Sequence, residues 1–513
     1  MTPGPARRPT TAEAERGTQA ALSRGYAWYA LGLLTFINFF NYADRNVVFA
    51  VFEPIKHALD LSDQQLGWIG SAYIIVLSIA ALPLGVIGDL KTRRGVITFG
   101  VGVWSFFTAM GGLVQSFGQL FFCRAMVGIG EAGYAPVSQA LIAEYFPGKR
   151  RAFAIGTYSV GMAVGGLAGV WLGGIVAETL GWRAAFVVMG VPGLILTVLA
   201  SQLREPRRRP PTPLRASLER FVKRGIWRIL WYGRPLLLFG AAGALLSAWL
   251  ATMSGVPSEL DTMVFAVFVG AGVAWTFGRL APLALRHRSE ASAVAHNAAG
   301  EFAEAATAIL RVPTLTWMFL GGALVTFAVN GLIAWAPSFM QRVHHFSVSD
   351  VGREFGIWAL SGGVLGALVG GRLGDWLFDR FPGGRVIVSG AGFILGAPVC
   401  ASLLLVGGLR WFVPLVFVTY FFYTWYNGPI SAVLFDVVPA AVRASVMGGF
   451  VLFSHLAGDA IAPPLIGYLS DQFGLQRAML LLPAAGLLGG VVILIALRTV
   501  GRDMRRVSEG AAA

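Results

Sequence analysis

The chain has 513 residues, of which 56% are hydrophobic and only 13% charged, where a soluble domain carries about 25% charged residues. That balance excludes a soluble globular fold, and two cysteines, both inside apolar runs, exclude a disulfide framework and a cysteine-rich metal centre. The net charge of +14 reads as Lys and Arg marking cytoplasmic loops, and not as a nucleic-acid surface.

Apolar runs of bilayer-spanning length recur along the chain, so the fold class is an all-α polytopic membrane protein. Residues 1–25 form a polar N-terminal tail without an apolar core, read as lacking a cleavable signal, with the first span acting as the insertion signal. Spans are predicted at 26–50, 66–88, 96–116, 119–143, 152–177 and 184–203, a six-helix bundle over 26–203. A second bundle, over 313–498, has spans at 314–340, 352–377, 385–406, 411–436, 444–469 and 477–498. Residues 499–513 form a C-terminal tail.

The linker, 204–312, is unusual. Its first part, 204–225, holds eight basic and two acidic residues, as expected of a cytoplasmic loop. Two apolar runs follow, 235–253 and 262–285, around a turn without basic residues. They predict an inserted transmembrane hairpin and fourteen spans in all; the alternative is an interfacial or re-entrant pair. On this assignment Lys56, Arg183, Arg342, Arg353, Arg410 and Arg477 lie outside, Arg45 and Arg124 lie within spans, and the other basic residues lie on the side of the termini. The bias predicts an inner (plasma) membrane protein with both termini cytoplasmic.

Two motifs recur at nearly one spacing. "GVIGDLKTRRG" (85–95) matches "GRLGDWLFDRF" (371–381) at an offset of 286, and "EYFPGKRRA" (144–152) matches "DVVPAAVRA" (436–444) at 292. Two related halves with a site between them is a transporter plan. Asp89, with Arg93 and Arg94, and its counterpart Asp375, with Arg380, are read as a cytoplasmic latch. Glu144 with Arg151, and Asp436 with Arg443, are read as an acid ending one helix and a base opening the next.

"GVIGDLKTRRG" resembles the signature loop of the major facilitator superfamily, with Leu90 where a basic residue usually follows the Asp. "NYADR" (41–45), "RAMVGIGEAGYAPVSQALIAEYFPGKRRA" (124–152) and "HLAGDAIAPPLIGYLSD" (455–471) resemble the Spinster-like transporters of that superfamily. The resemblance spans both halves but not residues 204–312. It implies a major facilitator fold, alternating access, and proton-coupled transport in which the matching Asp, Arg and Glu take part.

Four charges inside the first and fourth spans carry the functional reading. The first span runs outward and is expected to end near Glu53, which puts Asp44 about 13 Å below that end. The fourth runs inward, which puts Arg124 about 8 Å and Glu131 about 18 Å deep. Asp44, Arg45, Arg124 and Glu131 are therefore expected to meet. Each alone costs about 2.5–3.5 kcal/mol at the membrane centre, and pairing offsets most of that. The flanking "GIGEAG" is read as opening room beside Glu131. Glu131 or Asp44 is assigned as the protonatable group, and the two arginines as cations that tune it and bind an anionic headgroup. The alternative is an ion pair that only locks two helices.

His455 and Asp459, i and i+4 in the eleventh span, are expected on one face, either as a substrate-contacting patch or as a packing hydrogen bond. Asn41, Tyr42, Tyr134, Tyr426 and Asn427 are candidate cavity residues, and the aromatic runs beside them suit a greasy tail or plain core. The reading is a secondary transporter of a lipid-like or amphipathic organic anion of the lysolipid or sphingolipid type, with membrane lipids and protons as partners. It is expected to be a monomer with no cofactor, metal or nucleic-acid partner. No catalytic constellation or P-loop points to an enzyme. The alternatives are drug or organic-acid efflux, and a non-transporting receptor or scaffold.

Overall fold

The computed structural model describes residues 24–90, 93–146, 150–204, 312–406, 409–439 and 442–510, with three isolated positions in the linker. The inserted hairpin expected at 235–253 and 262–285 lies outside the described residues, so the structure leaves the count of fourteen spans open.

The N-terminal half comprises α1 (Arg24–Ala50), α2 (Phe52–Leu59), α3 (Asp63–Leu90), α4 (Arg93–Gly111), α5 (Phe117–Ala132), α6 (Tyr134–Tyr145), α7 (Arg151–Leu180) and α8 (Trp182–Ala200). The C-terminal half comprises α9 (Pro313–His344), α10 (Val348–Val351), α11 (Ile357–Phe378), α12 (Gly384–Leu405), α13 (Leu409–Tyr423), α14 (Asn427–Asp436), α15 (Arg443–Ser454), α16 (Ala462–Phe473), α17 (Leu475–Met479), α18 (Leu481–Ile495) and α19 (Val500–Gly510). Taken in chain order, these helices fall into six helical segments in each half. Eight described stretches are long and apolar enough to cross a membrane by themselves. The first and fourth spans, which carry the four buried charges, are not among them.

The fourth span was expected as one helix but is two, α5 and α6, broken at Gly133. Pro136 explains the break, since it has no N–H for the Ala132 carbonyl and its ring crowds that carbonyl. The tenth span breaks the same way, between α13 and α14, just before Pro429. Two further interruptions are π-helical turns, Gly352–Gly356 between α10 and α11, and His455–Asp459 between α15 and α16.

Small residues set the packing of α1. On α7, a Cβ added at Gly161, Gly165 or Gly169 would lie 2.4, 2.2 and 2.2 Å from the carbonyl oxygens of Thr35, Phe39 and Ala43. Glycines four apart on one helix thus face residues four apart on the other, and the backbones touch. In lipid, where neighbouring helices gain no hydrophobic drive, such close approach is a main source of association. It also fixes the rotation of α1, and so points Asp44 and Arg45 into the bundle.

The halves meet through α3 with α16, and α7 with α10 and the π turn that follows it. Between described residues, the hydrogen bonds and ion pairs that cross from one half to the other all lie on the side opposite the termini. Arg342 donates to Asp63 at 2.6 and 2.7 Å and to Glu53 at 2.9 Å, and Lys56 adds a bond to Asp63 at 2.6 Å.

Candidate functional site

The four intramembrane charges come together as two pairs. Arg45 Nε donates to Glu131 Oε2 at 2.6 Å. Arg124 Nη1 stands 3.7 Å from Asp44 Oδ1, an ion pair without a hydrogen bond. The pairs differ in burial. The side chains of Asp44 and Arg124 are 2% and 1% exposed, Glu131 is fully enclosed, and Arg45 keeps 17% of its surface open. Among the described residues, neither Asp44 oxygen, none of the Arg124 nitrogens and not Glu131 Oε1 makes a hydrogen bond.

Local packing explains these positions. Gly128 of α5 lies against α3, where a Cβ would stand 2.4 Å from the Tyr73 carbonyl oxygen, and Gly130 lies against α4 at Trp104 and Gly100. The "GIGEAG" stretch therefore does not open the room beside Glu131 that the sequence led us to expect. Its glycines are spent on backbone contact, which draws α3 and α4 in and leaves Glu131 enclosed.

That approach brings in Tyr73, which sequence reasoning missed. Its ring lies 5.1 Å from the Arg124 guanidinium and 5.7 Å from that of Arg45, within cation–π range. On its other side Tyr73 packs with Ala460, beside the π turn of the opposite half. A tyrosine in the run "SAYIIVLSI" carries no local signal that would have singled it out.

In the C-terminal half, His455 Nδ1 and Asp459 Oδ2 are 2.5 Å apart, and Asn330 of α9 donates to Asp459 Oδ1 at 2.8 Å. The two residues face the same way, but within a π turn and not the regular α-helix expected. The π hydrogen bond from Ala460 N–H to the His455 carbonyl is 2.9 Å. π turns of this kind are frequent at functional sites. Asn330 is a second residue that sequence reasoning missed, since its partner lies 129 positions away.

The remaining cavity candidates divide. Tyr42 is half-buried with its ring 4.6 Å from Arg45, Asn41 is buried beside the cluster, and Asn427 is exposed. Tyr426 is half-buried against Phe393. Tyr134 does not line a cavity: it is fully buried, packs on Trp104 and donates to the Leu34 carbonyl at 2.8 Å, because the chain turns at Gly133 and drives its ring into the bundle.

The latch residues pair differently from expectation. Glu144 meets Arg93 at 2.6 Å, and Asp436 meets Arg385 at 2.6 Å. Both residues of these pairs repeat at an offset of 292. Arg385 also bonds Asp375 at 2.7 Å. Arg380 instead lies 3.8 Å over the Trp376 ring, and Arg443 donates to the Phe435 carbonyl, because each helix end turns its base away from the neighbouring acid. Arg151 and Arg94 are exposed, and the Asp89 side chain lies outside the described residues. The described latches therefore tie helices within one half, not across the two.

The Major Facilitator Superfamily model matches residues 34–265 and 238–458. The chain belongs to that superfamily. It is a multi-pass membrane transporter, and it is Spinster-like: the mouse protein spinster homolog 1 is 25% identical over 98% of this chain and 88% of its own. An MFS-type efflux pump of Mycolicibacterium smegmatis is 27% identical over 91% of both chains. Among solved structures, a bacterial homolog of the human lysosomal transporter Spinster, in an inward-facing and unoccupied conformation, superposes with a TM-score of 0.71. That alignment is 22% identical and covers 94% of this chain and 99% of the other, so it speaks for the superfamily fold.

Proposed function

We propose that this transporter moves an amphipathic organic anion of the lysolipid or sphingolipid type across the inner membrane, coupled to protons, with both termini cytoplasmic. The observation that carries this reading is the Arg45–Glu131 pair, a buried carboxylate holding a partly open guanidinium inside the N-terminal half. When Glu131 takes a proton, its charge is lost and Arg45 is released to bind an anionic headgroup. When the headgroup leaves, Arg45 draws Glu131 back to the ionised form. Proton and substrate are thereby linked through one cation.

Arg124 and Asp44, more deeply buried, hold the fixed charge behind that exchange. Tyr42 and Tyr73 frame Arg45, and Tyr73 adjoins the His455–Asp459–Asn330 patch that would contact substrate from the other half. The aromatic cluster Phe36, Phe39 and Phe40, with ring centroids 5.1–6.0 Å apart, supplies apolar surface on the same helix. Clasped ends opposite the termini, with described latches on the terminal side confined to single halves, fit access from the cytoplasm. Asp89, Glu144, Arg93, Asp375, Asp436 and Arg385 would then govern closure of that side.

The test is purified protein in proteoliposomes with a fluorescent lysophospholipid and an imposed pH gradient. Gradient-driven flux supports the reading, and absence of flux under either polarity overturns it. Drug or organic-acid efflux is the second reading, favoured by the kinship to an MFS-type efflux pump. The same vesicles loaded with a hydrophobic dye or a short carboxylic acid distinguish it.

A further inference from the structure

Two stretches at the ends of corresponding spans repeat with a function not yet assigned: "GIVAE" (174–178) on α7 and "GYLSD" (467–471) on α16, 293 positions apart. Each reaches across to the first turn of a helix in the opposite half. Asp471 accepts hydrogen bonds from the backbone N–H groups of Asp63 and Gln64 at 2.9 Å each, at the start of α3. Glu178 accepts from the Ser349 N–H at 3.0 Å, at the start of the continuous helical run 348–378.

The matching extends to the targets. A Cβ on Gly467 would lie 2.3 Å from the Asp63 carbonyl oxygen, and one on Gly174 would lie 2.4 Å from that of Val348. Ser62 Oγ accepts from the Gln65 N–H at 3.2 Å, and Ser347 Oγ from the Asp350 N–H at 3.2 Å. Each target pair, Ser62 with Ser347, Asp63 with Val348 and Gln64 with Ser349, is 285 apart. One pattern is thus used twice: a glycine lets two backbones touch, and a carboxylate one turn later caps a serine-capped helix from the opposite half.

The chemistry suits a reversible joint. The first N–H groups of a helix have no partner within it, and they favour negative charge. On parting, water replaces the carboxylate at the N–H groups, so release costs a difference between two solvations and not a bare buried charge. We propose that Asp471 and Glu178 are reciprocal clasps that hold the transporter shut on the side opposite its termini, and that both release when that side opens. The two are unequal: at the first, the Asp63 side chain also binds Arg342, Lys56 and Ser470, and Arg342 reaches on to Glu53, whereas Val348 occupies the place of Asp63 in the other.

The experiment measures distance in the full chain in nanodiscs and needs no substrate, so it stands apart from the lipid assignment. Spin labels at Leu113 and Leu405, exposed on the clasped side, report opening, and labels at Phe153 and Phe381 report the terminal side. Cys123 and Cys400 are first replaced. Losing one helix cap is expected to raise the open-to-closed ratio about 5-fold in Asp471→Ala or Glu178→Ala, and about 25-fold in the double variant. Gly467→Ala is expected to shift the same way, since its methyl group would push Asp63 off. Ser116→Ala removes a cap inside one half and is expected to leave the distances unchanged. If the alanine variants are not monodisperse, the Asp471→Asn and Glu178→Gln double variant is measured instead, with a smaller shift in the same direction expected. Unchanged distances in monodisperse clasp variants, or an equal shift in Ser116→Ala, overturn the proposal.

Discussion

Arg45 and Glu131 are joined by a single 2.6 Å hydrogen bond from Nε, while one helical face away Arg124 and Asp44 stand 3.7 Å apart without one. The cluster thus contains one tight pair whose arginine keeps part of its surface exposed and one loose pair that is wholly buried. The difference separates two roles, exchange for the first and fixed background charge for the second.

Glu131→Gln keeps the shape of the side chain and can still accept from Arg45. Expression and thermal stability are expected to stay near wild type, and gradient-driven uptake is expected to disappear. Counterflow of substrate without a gradient is expected to persist and to lose its pH dependence. A normal pH profile in proteoliposomes would remove Glu131 from the coupling step.

Arg124→Ala leaves Asp44 as a buried charge whose nearest cation is gone. Breaking a buried pair from one side costs about 3–5 kcal/mol. A large fall in melting temperature in detergent is therefore expected. The double variant Asp44→Asn with Arg124→Gln removes both charges and is expected to recover most of the stability but not transport. Equal stability of Arg124→Ala and wild type would refute the pairing.

Gly165→Ala places a methyl group 2.2 Å from the Phe39 carbonyl oxygen. Overpacking of that kind costs about 1–3 kcal/mol. Since it also pushes on α1 one turn before Asp44, transport is expected to fall more than stability does. Thermal scanning and flux on the same preparation give the comparison.

The inserted hairpin rests on hydropathy and loop charge alone. A cysteine at Ser258, in a background without Cys123 and Cys400, is expected to react with an impermeant thiol reagent applied to intact cells. Labelling only after lysis would place the segment at or below the inner surface and reduce the count to twelve spans.

Arg385→Ala is expected to loosen the terminal side of the C-terminal half, because it removes the one guanidinium that joins Asp375 to Asp436. Partly exposed pairs are weak, about 0.2–1 kcal/mol each, and salt screens them. The effect on the Phe153–Phe381 distance should therefore be small at high ionic strength and largest in dilute buffer.

Much of this was legible in the chain. Twelve spans, the twofold repeat and the meeting of Asp44, Arg45, Arg124 and Glu131 follow from apolar length, motif offset and rise per residue, all of which are local or periodic quantities. A charge in a span is itself a signal, since lipid makes it costly unless it finds a partner. What stayed hidden was the identity of partners. Arg93 chooses Glu144, Arg385 chooses Asp436, and Tyr73 and Asn330 reach their neighbours across different helices.

The sequence by itself determined that this is a two-half helical transporter with charge inside its helices, because hydrophobic length and the cost of ions in lipid act on each span separately. Only the tertiary structure decided which acid faces which base, which glycines are consumed by packing, and that Asp471 and Glu178 cap helices of the opposite half. Those outcomes depend on the rotation and kinking of helices about each other. Rotation is set by backbone contacts such as Gly165 on Phe39, and kinking by Pro136 and Pro429, and their consequences appear only when the helices are assembled.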